Sequence, residues 1–144
     1  MTGVQTCALP ISIDPEQSNF TELVINETLP AIAQEFPGIT CDAYCEEGSW
    51  SVKETTALFE KAIELNCPIR AHVDQFNPLG MLTKAVELGA ISVDHLETST
   101  DEELAVLAAS DTIGVLLPAS GFCLHDSYAR GRAIIDLGCL VAIA

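Results

Sequence analysis

Five short runs rich in β-branched and other apolar residues alternate with segments of helical period, and this alternation constrains the fold more than any other feature. The runs lie at 39–45, 69–75, 91–96, 112–117 and 140–144. Their spacing of roughly 21 to 29 residues is what a strand, a crossover helix and the next parallel strand require. None shows clean alternation of apolar and polar residues, which is typical of strands buried on both faces. The sequence therefore predicts a five-stranded parallel sheet in an α/β fold.

The intervening segments carry signals for helix ends. Ser51 and Glu54 form an S-x-x-E capping box, and a second start is predicted at Ser99 or Thr100, each followed three residues later by Glu. Gly89 and Gly138 stand where a left-handed C-terminal cap is expected. In the helical segment 20–35, the proline at position 30 removes a backbone donor and predicts a kink or a break.

Periodicity alone does not separate a doubly wound sheet from a barrel, but motifs do. No G-x-G-x-x-G follows the first strand and no G-x-x-x-x-G-K-S/T occurs, so the nucleotide-binding doubly wound folds lose their main support. The chain has 144 residues, whereas a complete (β/α)8 barrel needs about 250. We therefore expect a partial (β/α)8 TIM barrel.

The two ends of the sequence are unusual. The first eleven residues, MTGVQTCALPI, are typical of a translated sequencing-library adapter, and we leave them out of the fold prediction. The last run, LVAIA, stops without a turn residue or a cap. We expect residues 1–11 to be non-native, residues 12–144 to form the partial barrel domain, and the whole to be a gene fragment.

Charge and hydropathy exclude some classes of partner. Six Lys and Arg oppose 21 Asp and Glu, a formal charge of −15, so nucleic acid and anionic membrane surfaces would be repelled. Charged residues interrupt every apolar stretch before it reaches the ~18 residues of a membrane span. The six cysteines lack a close disulfide spacing and indicate reduced, buried thiols. We expect a cytoplasmic protein with no nucleic-acid or membrane partner.

Two of the three histidines follow successive predicted strands. His72 is followed by Asp74 and Gln75, and His95 ends the next strand beside Asp94. Because the carboxyl ends of parallel strands line the active site of an α/β barrel, we predict a functional role for both imidazoles, with an aspartate to orient each. Gln75 could hydrogen-bond a substrate amide or a water.

Weaker candidates lie in the following loop, GFCLHDSYARGR. His125, Tyr128 and Arg130 are placed there as less favoured binding residues, since exposed loop side chains are common. The signatures of other chemistries, P-C-x-x-C, G-x-S-x-G and H-E-x-x-H, do not occur.

Four strings, CDAYCEEGSWSVKET, IRAHVDQFNPLG, LGAISVDHLE and TIGVLLPAS, resemble in order and spacing the imidazolonepropionase family of the amidohydrolase superfamily. The resemblance implies a (β/α)8 barrel, of which this chain carries roughly strands 4 to 8. It also implies one Zn or Fe ion that activates water to open the lactam ring of imidazolonepropionate, giving formiminoglutamate in histidine breakdown.

The resemblance also implies roles for individual residues. His72 matches the metal ligand of the fifth strand, and His95 matches the residue that hydrogen-bonds the attacking water or the oxyanion. Gln75 stands where several relatives have Glu, and Gln cannot take a proton. The family's H-x-H pair, its substrate-binding residues before the fourth strand and its Asp after the eighth have no counterpart here. We therefore expect the chain alone to be inactive.

Other functions remain open at this point. One is a different cyclic amidohydrolase or a deaminase of the same superfamily, which the residues of the missing half would distinguish. Another is a non-catalytic half-barrel that serves as an interaction module, with its open edge covered by a partner. For the complete enzyme a homodimer is a further possibility.

Overall fold

A computed structural model describes residues 20–124 and 127–144 of the chain. It contains one five-stranded sheet whose strands are β1 (Cys41–Tyr44), β2 (Ile69–Val73), β3 (Ser92–His95), β4 (Ile113–Leu116) and β5 (Val141–Ile143). The helices are α1 (Phe20–Leu23), α2 (Leu29–Glu35), α3 (Val52–Glu64), α4 (Met81–Glu87), α5 (Asp101–Ala108), α6 (Pro118–Leu124) and α7 (Gly131–Asp136), with a π-helical turn at Val24–Thr28. All five predicted strands are confirmed.

The order of the strands agrees with a barrel. They lie in the sequence β1-β2-β3-β4-β5, and each neighbouring pair is parallel. A doubly wound sheet reverses its strand order at a switch point, whereas a barrel adds each strand on the same side of the last. The fold is therefore part of an α/β barrel, as predicted.

The helix-end predictions are confirmed with one choice resolved. At α3, the Glu54 N–H donates to the Ser51 hydroxyl over 3.3 Å, and the Ser51 N–H donates to the Glu54 carboxylate over 3.0 Å. The second capping box uses Thr100, because Ser99 instead donates its hydroxyl to a buried aspartate. Gly89 and Gly138 have φ angles of 78° and 87°, the left-handed caps that a side chain would strain.

The distortion expected at Pro30 takes the form of a π-helical turn. The helical segment changes to i→i−5 bonding over Val24–Thr28, and the Leu29 N–H donates to the Val24 carbonyl. Helical structure resumes at once as α2, so the chain is distorted but not broken. A local shift of the bonding pattern accommodates a missing proline donor without ending the helix.

The two faces of the sheet differ in chemistry. The helices cover one face, where the core residues Phe59, Leu82, Val93 and Leu107 have no exposed surface. The opposite face, the interior of the barrel, carries polar residues on its first three strands. The register places these residues in two rows, Asp42–Arg70–Ser92 and Tyr44–His72–Asp94. The candidate site is built from the second row and the loops beyond it.

Candidate active site

His72 lies in the middle of the interior row, between aspartates of both neighbouring strands. Its Nε2 is 3.0 Å from Asp42 Oδ2, and its Nδ1 is 3.8 Å from Asp94 Oδ2. Burial lowers the pKa of this imidazole, but the hydrogen bond to Asp42 and the charges of both aspartates outweigh burial, so the net shift of the pKa is upward. The ring is thus held in one orientation by two carboxylates.

Arg70 compensates the charge of the same two aspartates from the preceding row. Its guanidinium hydrogen-bonds Asp94 and lies 4.0 Å from Asp42. The Ser92 hydroxyl adds a bond of 3.3 Å to the second oxygen of Asp94. Buried carboxylates are tolerated only when they are paired in this way. The contacts of Arg70 and Ser92 therefore hold in place the two aspartates that contact His72.

His95 reaches the site by an unusual backbone path. His95 and Leu96 have φ angles of 84° and 70°, so two successive residues that are not glycine adopt the left-handed conformation where β3 ends. The His95 ring centroid lies 5.4 Å from that of His72 and 6.4 Å from that of Tyr44. The structure thus brings together the two imidazoles that the sequence singled out.

Gln75 lies in the loop after β2 and is buried. Its Nε2 donates to the Ser120 hydroxyl over 3.0 Å, which joins the loop after β2 to α6. The amide oxygen remains as an acceptor, and the side chain has no group that could take up a proton near neutral pH. Gln75 can orient a neighbouring molecule through hydrogen bonds.

Two buried carboxylates connect the loops that carry these residues. Glu46, after β1, accepts hydrogen bonds from the N–H groups of Phe76 and Asn77 at 2.9 and 3.3 Å and from the Asn77 amide at 2.9 Å. Burial raises its pKa, but these bonds and one from Glu47 outweigh burial and lower the pKa below the ordinary value. The ionised form of Glu46 therefore fixes the Gln75 loop to the end of β1.

Asp74 makes the corresponding connection to the loop after β3. Its carboxylate accepts from the Ser99 hydroxyl at 2.7 Å, and its carbonyl accepts from the N–H and the hydroxyl of Thr98, each at 2.8 Å. Burial, together with the charges of Glu103 and Glu46, raises the pKa of Asp74 to about 7, although the Ser99 bond acts in the opposite direction. The ends of the first three strands are thus linked in series.

Tyr44 and Glu97 complete the described surroundings of His95. Burial and then the charges of Glu46 and Glu97 raise the pKa of the Tyr44 phenol to about 12. Glu97 Oε1 lies 3.6 Å from His95 Nδ1. Sequence reasoning missed Glu46, Glu97, Ser120 and the pairing of Asp42 with His72. The available signal was a polar residue directly after a buried apolar run, which both Glu46 and Glu97 satisfy.

Of the weaker candidates in the α6–α7 loop, the two that the structure describes, Tyr128 and Arg130, are not gathered into this cluster. His125 lies outside the described residues, and Tyr128 is half exposed. The Arg130 guanidinium donates to Asp101 at 2.6 Å and to the Ser99 carbonyl at 2.9 Å. Arg130 therefore joins the start of α7 to the start of α5.

The described residues do not make up a metal site by themselves. Within 20–124 and 127–144, no group of three or more His, Cys, Asp and Glu side chains is arranged to hold an ion. Catalytic zinc sites need about three protein ligands around an open position. Here His72 is a single imidazole whose Nε2 already faces Asp42. A metal at this place would need ligands from elsewhere.

Across the same described residues, no helix combines the length and the apolar composition needed to cross a bilayer.

Comparison with known proteins gives a consistent set of relatives. No family model matches the chain. It is 39% identical over 145 residues to an imidazolonepropionase from Herpetosiphon aurantiacus, covering 95% of this chain and 34% of that protein. It is 42% identical over 127 residues to one from Symbiobacterium thermophilum, covering 86% of this chain and 30% of that protein. The chain thus spans about a third of the length of the curated relatives it matches.

Solved structures agree on the architecture. An adenosine deaminase from Xanthomonas campestris with bound zinc aligns with a TM-score of 0.64 at 13% identity, covering 81% of this chain and 31% of that one. A guanine deaminase from C. acetobutylicum with bound guanine aligns with a TM-score of 0.65 at 18% identity, covering 86% and 35%. At such identities the likeness concerns the fold alone.

Proposed function

We propose that this chain, a homologue of the imidazolonepropionases of the amidohydrolase superfamily, forms part of the active site of a longer metal-dependent hydrolase. The reaction is hydrolysis of the lactam ring of 4-imidazolone-5-propanoate to N-formimino-L-glutamate in histidine degradation. Water adds across the ring amide: its oxygen bonds to the carbonyl carbon, the C–N bond breaks, and the ring nitrogen takes up a proton. The observation that supports this proposal is the juxtaposition of His72 and His95, with ring centroids 5.4 Å apart, in a chain so similar to these enzymes.

Each residue has a role that its contacts allow. His72 would supply one imidazole ligand to the ion, with an aspartate at the other ring nitrogen to fix its tautomer. His95 would hydrogen-bond the attacking water or the developing oxyanion. Gln75, held by Ser120, would orient the substrate ring as a hydrogen-bonding group rather than as a base. A zinc or iron ion, when bound, supplies a water of lowered pKa and polarises the ring carbonyl.

The test is a chimera in which residues 20–144 replace the matching third of the Herpetosiphon aurantiacus relative. We expect the chimera to retain the ring-opening activity. The activity is measured as the loss of the substrate's ultraviolet absorbance. His72→Ala and His95→Ala should each lower kcat/KM by about 100-fold or more, as loss of a metal ligand or an acid–base group does.

Two controls accompany the chimera. The first is Phe122→Ala: Phe122 is far more exposed than His72 or His95, so this substitution should leave the activity of the chimera unchanged. The separate 144-residue protein should bind less than one equivalent of zinc and show no turnover, because the described residues provide too few ligands. Full turnover by a chimera lacking both imidazoles would refute the proposal.

Further features of the complete enzyme follow from the family resemblance and remain predictions. They are the choice between zinc and iron, a homodimeric assembly and a cytoplasmic location. Because the imidazolonepropionase relatives act on a small molecule, we propose the same class of substrate here.

A further inference from the structure

Glu97 is a buried carboxyl group that needs a hydrogen-bonding partner. It follows β3 by two residues, and its side chain is only 1% exposed. An ionised carboxylate so far from water must accept hydrogen bonds or face a cation. The basic group that it faces is the His95 imidazole, with 3.6 Å between Oε1 and Nδ1.

Each of the two groups also has one buried atom without a hydrogen bond. Among the described residues, His95 Nδ1 and Glu97 Oε2 are buried side-chain atoms without a hydrogen bond. Buried polar atoms are seldom left in this state in folded proteins. The 3.6 Å separation is longer than a hydrogen bond, but a small rotation of either side chain would close it. Each group is therefore the natural partner of the other.

The backbone keeps the two side chains in this relation. Two successive left-handed residues, His95 and Leu96, turn the chain where β3 ends. The Leu96 side chain is buried in the core, and its N–H donates to the Val73 carbonyl over 3.3 Å. A backbone conformation this uncommon for side chains with Cβ atoms persists only where its surroundings hold it in place. The approach of Glu97 to His95 is thus built into the turn.

We infer that Glu97 is a positioning residue that accepts the Nδ1–H of His95 and so fixes the imidazole tautomer. In this tautomer Nε2 carries the free lone pair and can accept a hydrogen bond within the site. The use of that nitrogen toward water rests on the proposed function. The tautomer itself does not, so the two claims can fail separately.

The experiment is nitrogen-15 NMR of the 144-residue protein labelled at histidine, at about pH 9, where an ordinary imidazole is neutral. Two-bond correlations from the ring carbon protons distinguish a protonated nitrogen from a bare one, and His95→Gln assigns the signals. We expect His95 to be protonated predominantly at Nδ1. A wild-type spectrum with Nδ1 bare and Nε2 protonated would overturn the inference, without any need for a folded variant.

Glu97→Gln is the decisive variant and Glu46→Gln is its matched control. Both carboxylates raise the pKa of Tyr44, so both lie near the same phenol, but only Glu97 faces His95. We expect Glu97→Gln to reduce the Nδ1-protonated population by severalfold and Glu46→Gln to leave it unchanged. Equal changes in the two variants would assign the tautomer to the general field of the site and contradict the inference.

Discussion

The first three strands and the last two differ in how their side chains are partnered. All four residues of β3 are buried, and β2 alternates between buried and half-buried positions, whereas β5 is mostly exposed. The loops after β1 and β2 are held by Glu46 and Asp74. Beyond β4, by contrast, Phe122 and Ile143 are 73% and 74% exposed. We call 41–108 the tied region and 113–143 the open region.

The difference shows where precision resides in this molecule. The imidazoles lie in the tied region, on β2 and β3, each of which has a neighbouring strand on both sides, whereas β1 is an edge strand. Buried carboxylates in this region accept hydrogen bonds from loop N–H groups. In the open region Ile134 is buried, but several large apolar side chains, Phe122 and Ile143 among them, face solvent and so contribute little burial to stability. Substitutions should therefore have unequal consequences in the two regions.

The largest contrast should come from two phenylalanines. Phe59 in α3 has no exposed surface, so Phe59→Ala should lower the free energy of unfolding by about 3–5 kcal/mol through lost burial and a cavity. Phe122→Ala in α6 should change it by no more than about 0.5 kcal/mol. Urea denaturation followed by circular dichroism measures both. Similar losses would show that Phe122 is buried in solution and remove the distinction between the regions.

An intermediate effect is expected from Glu46→Gln. At pH 7 the free energy of unfolding of the variant should be lower than that of the wild type by about 2 kcal/mol. Hydrogen bonds to an ionised group are strong, and the NH2 group of Gln cannot accept a hydrogen bond from the N–H groups that Glu46 binds. The folded pKa of Glu46 is lowered, so its stabilisation is present above the ordinary carboxyl pKa and is lost as pH falls through the folded value.

The difference in the free energy of unfolding between wild type and Glu46→Gln should therefore become smaller below about pH 4.5. Urea midpoints at several pH values between 7 and 3 measure it, with the exposed Glu102→Gln as the reference. A gap that is constant with pH would mean that the loss comes from packing rather than from charge.

The smallest effect should come from Arg130, which crosses from the open region to the tied region. Arg130→Ala removes the contacts with Asp101 and with the Ser99 carbonyl. Because the guanidinium is half exposed, the loss should lower the free energy of unfolding by only about 0.5–1 kcal/mol. Arg132→Ala, which breaks an exposed pair with Asp136 in the same helix, should cost less. A loss at Arg130 as large as that at Phe59 would show that the two regions stabilise each other.

The sequence predicted the secondary-structure elements more completely than it predicted the contacts between side chains. Strand positions, both capping boxes and the left-handed glycines depend on local patterns, and so does the placing of His72 and His95 at neighbouring strand ends. The pairing of Asp42 with His72 depends on register, since a shift of one residue would turn Ala43 inward instead. The left-handed turn at His95 and the Gln75–Ser120 bond, 45 residues apart in sequence, depend on tertiary packing that no local pattern encodes.

The order of the strands has a consequence for how the chain acquires its structure. Each strand from β2 to β5 pairs with the strand before it in sequence, so each pairing forms across one crossover rather than across the whole chain. Chain closure of this kind costs little entropy, and such topologies fold faster than those built on distant pairings. As synthesis proceeds from the N-terminus, each new βα unit finds its docking surface already in place. The hydrogen bonds of Glu46 to the loop after β2 would then form before those of Asp74 to the loop after β3.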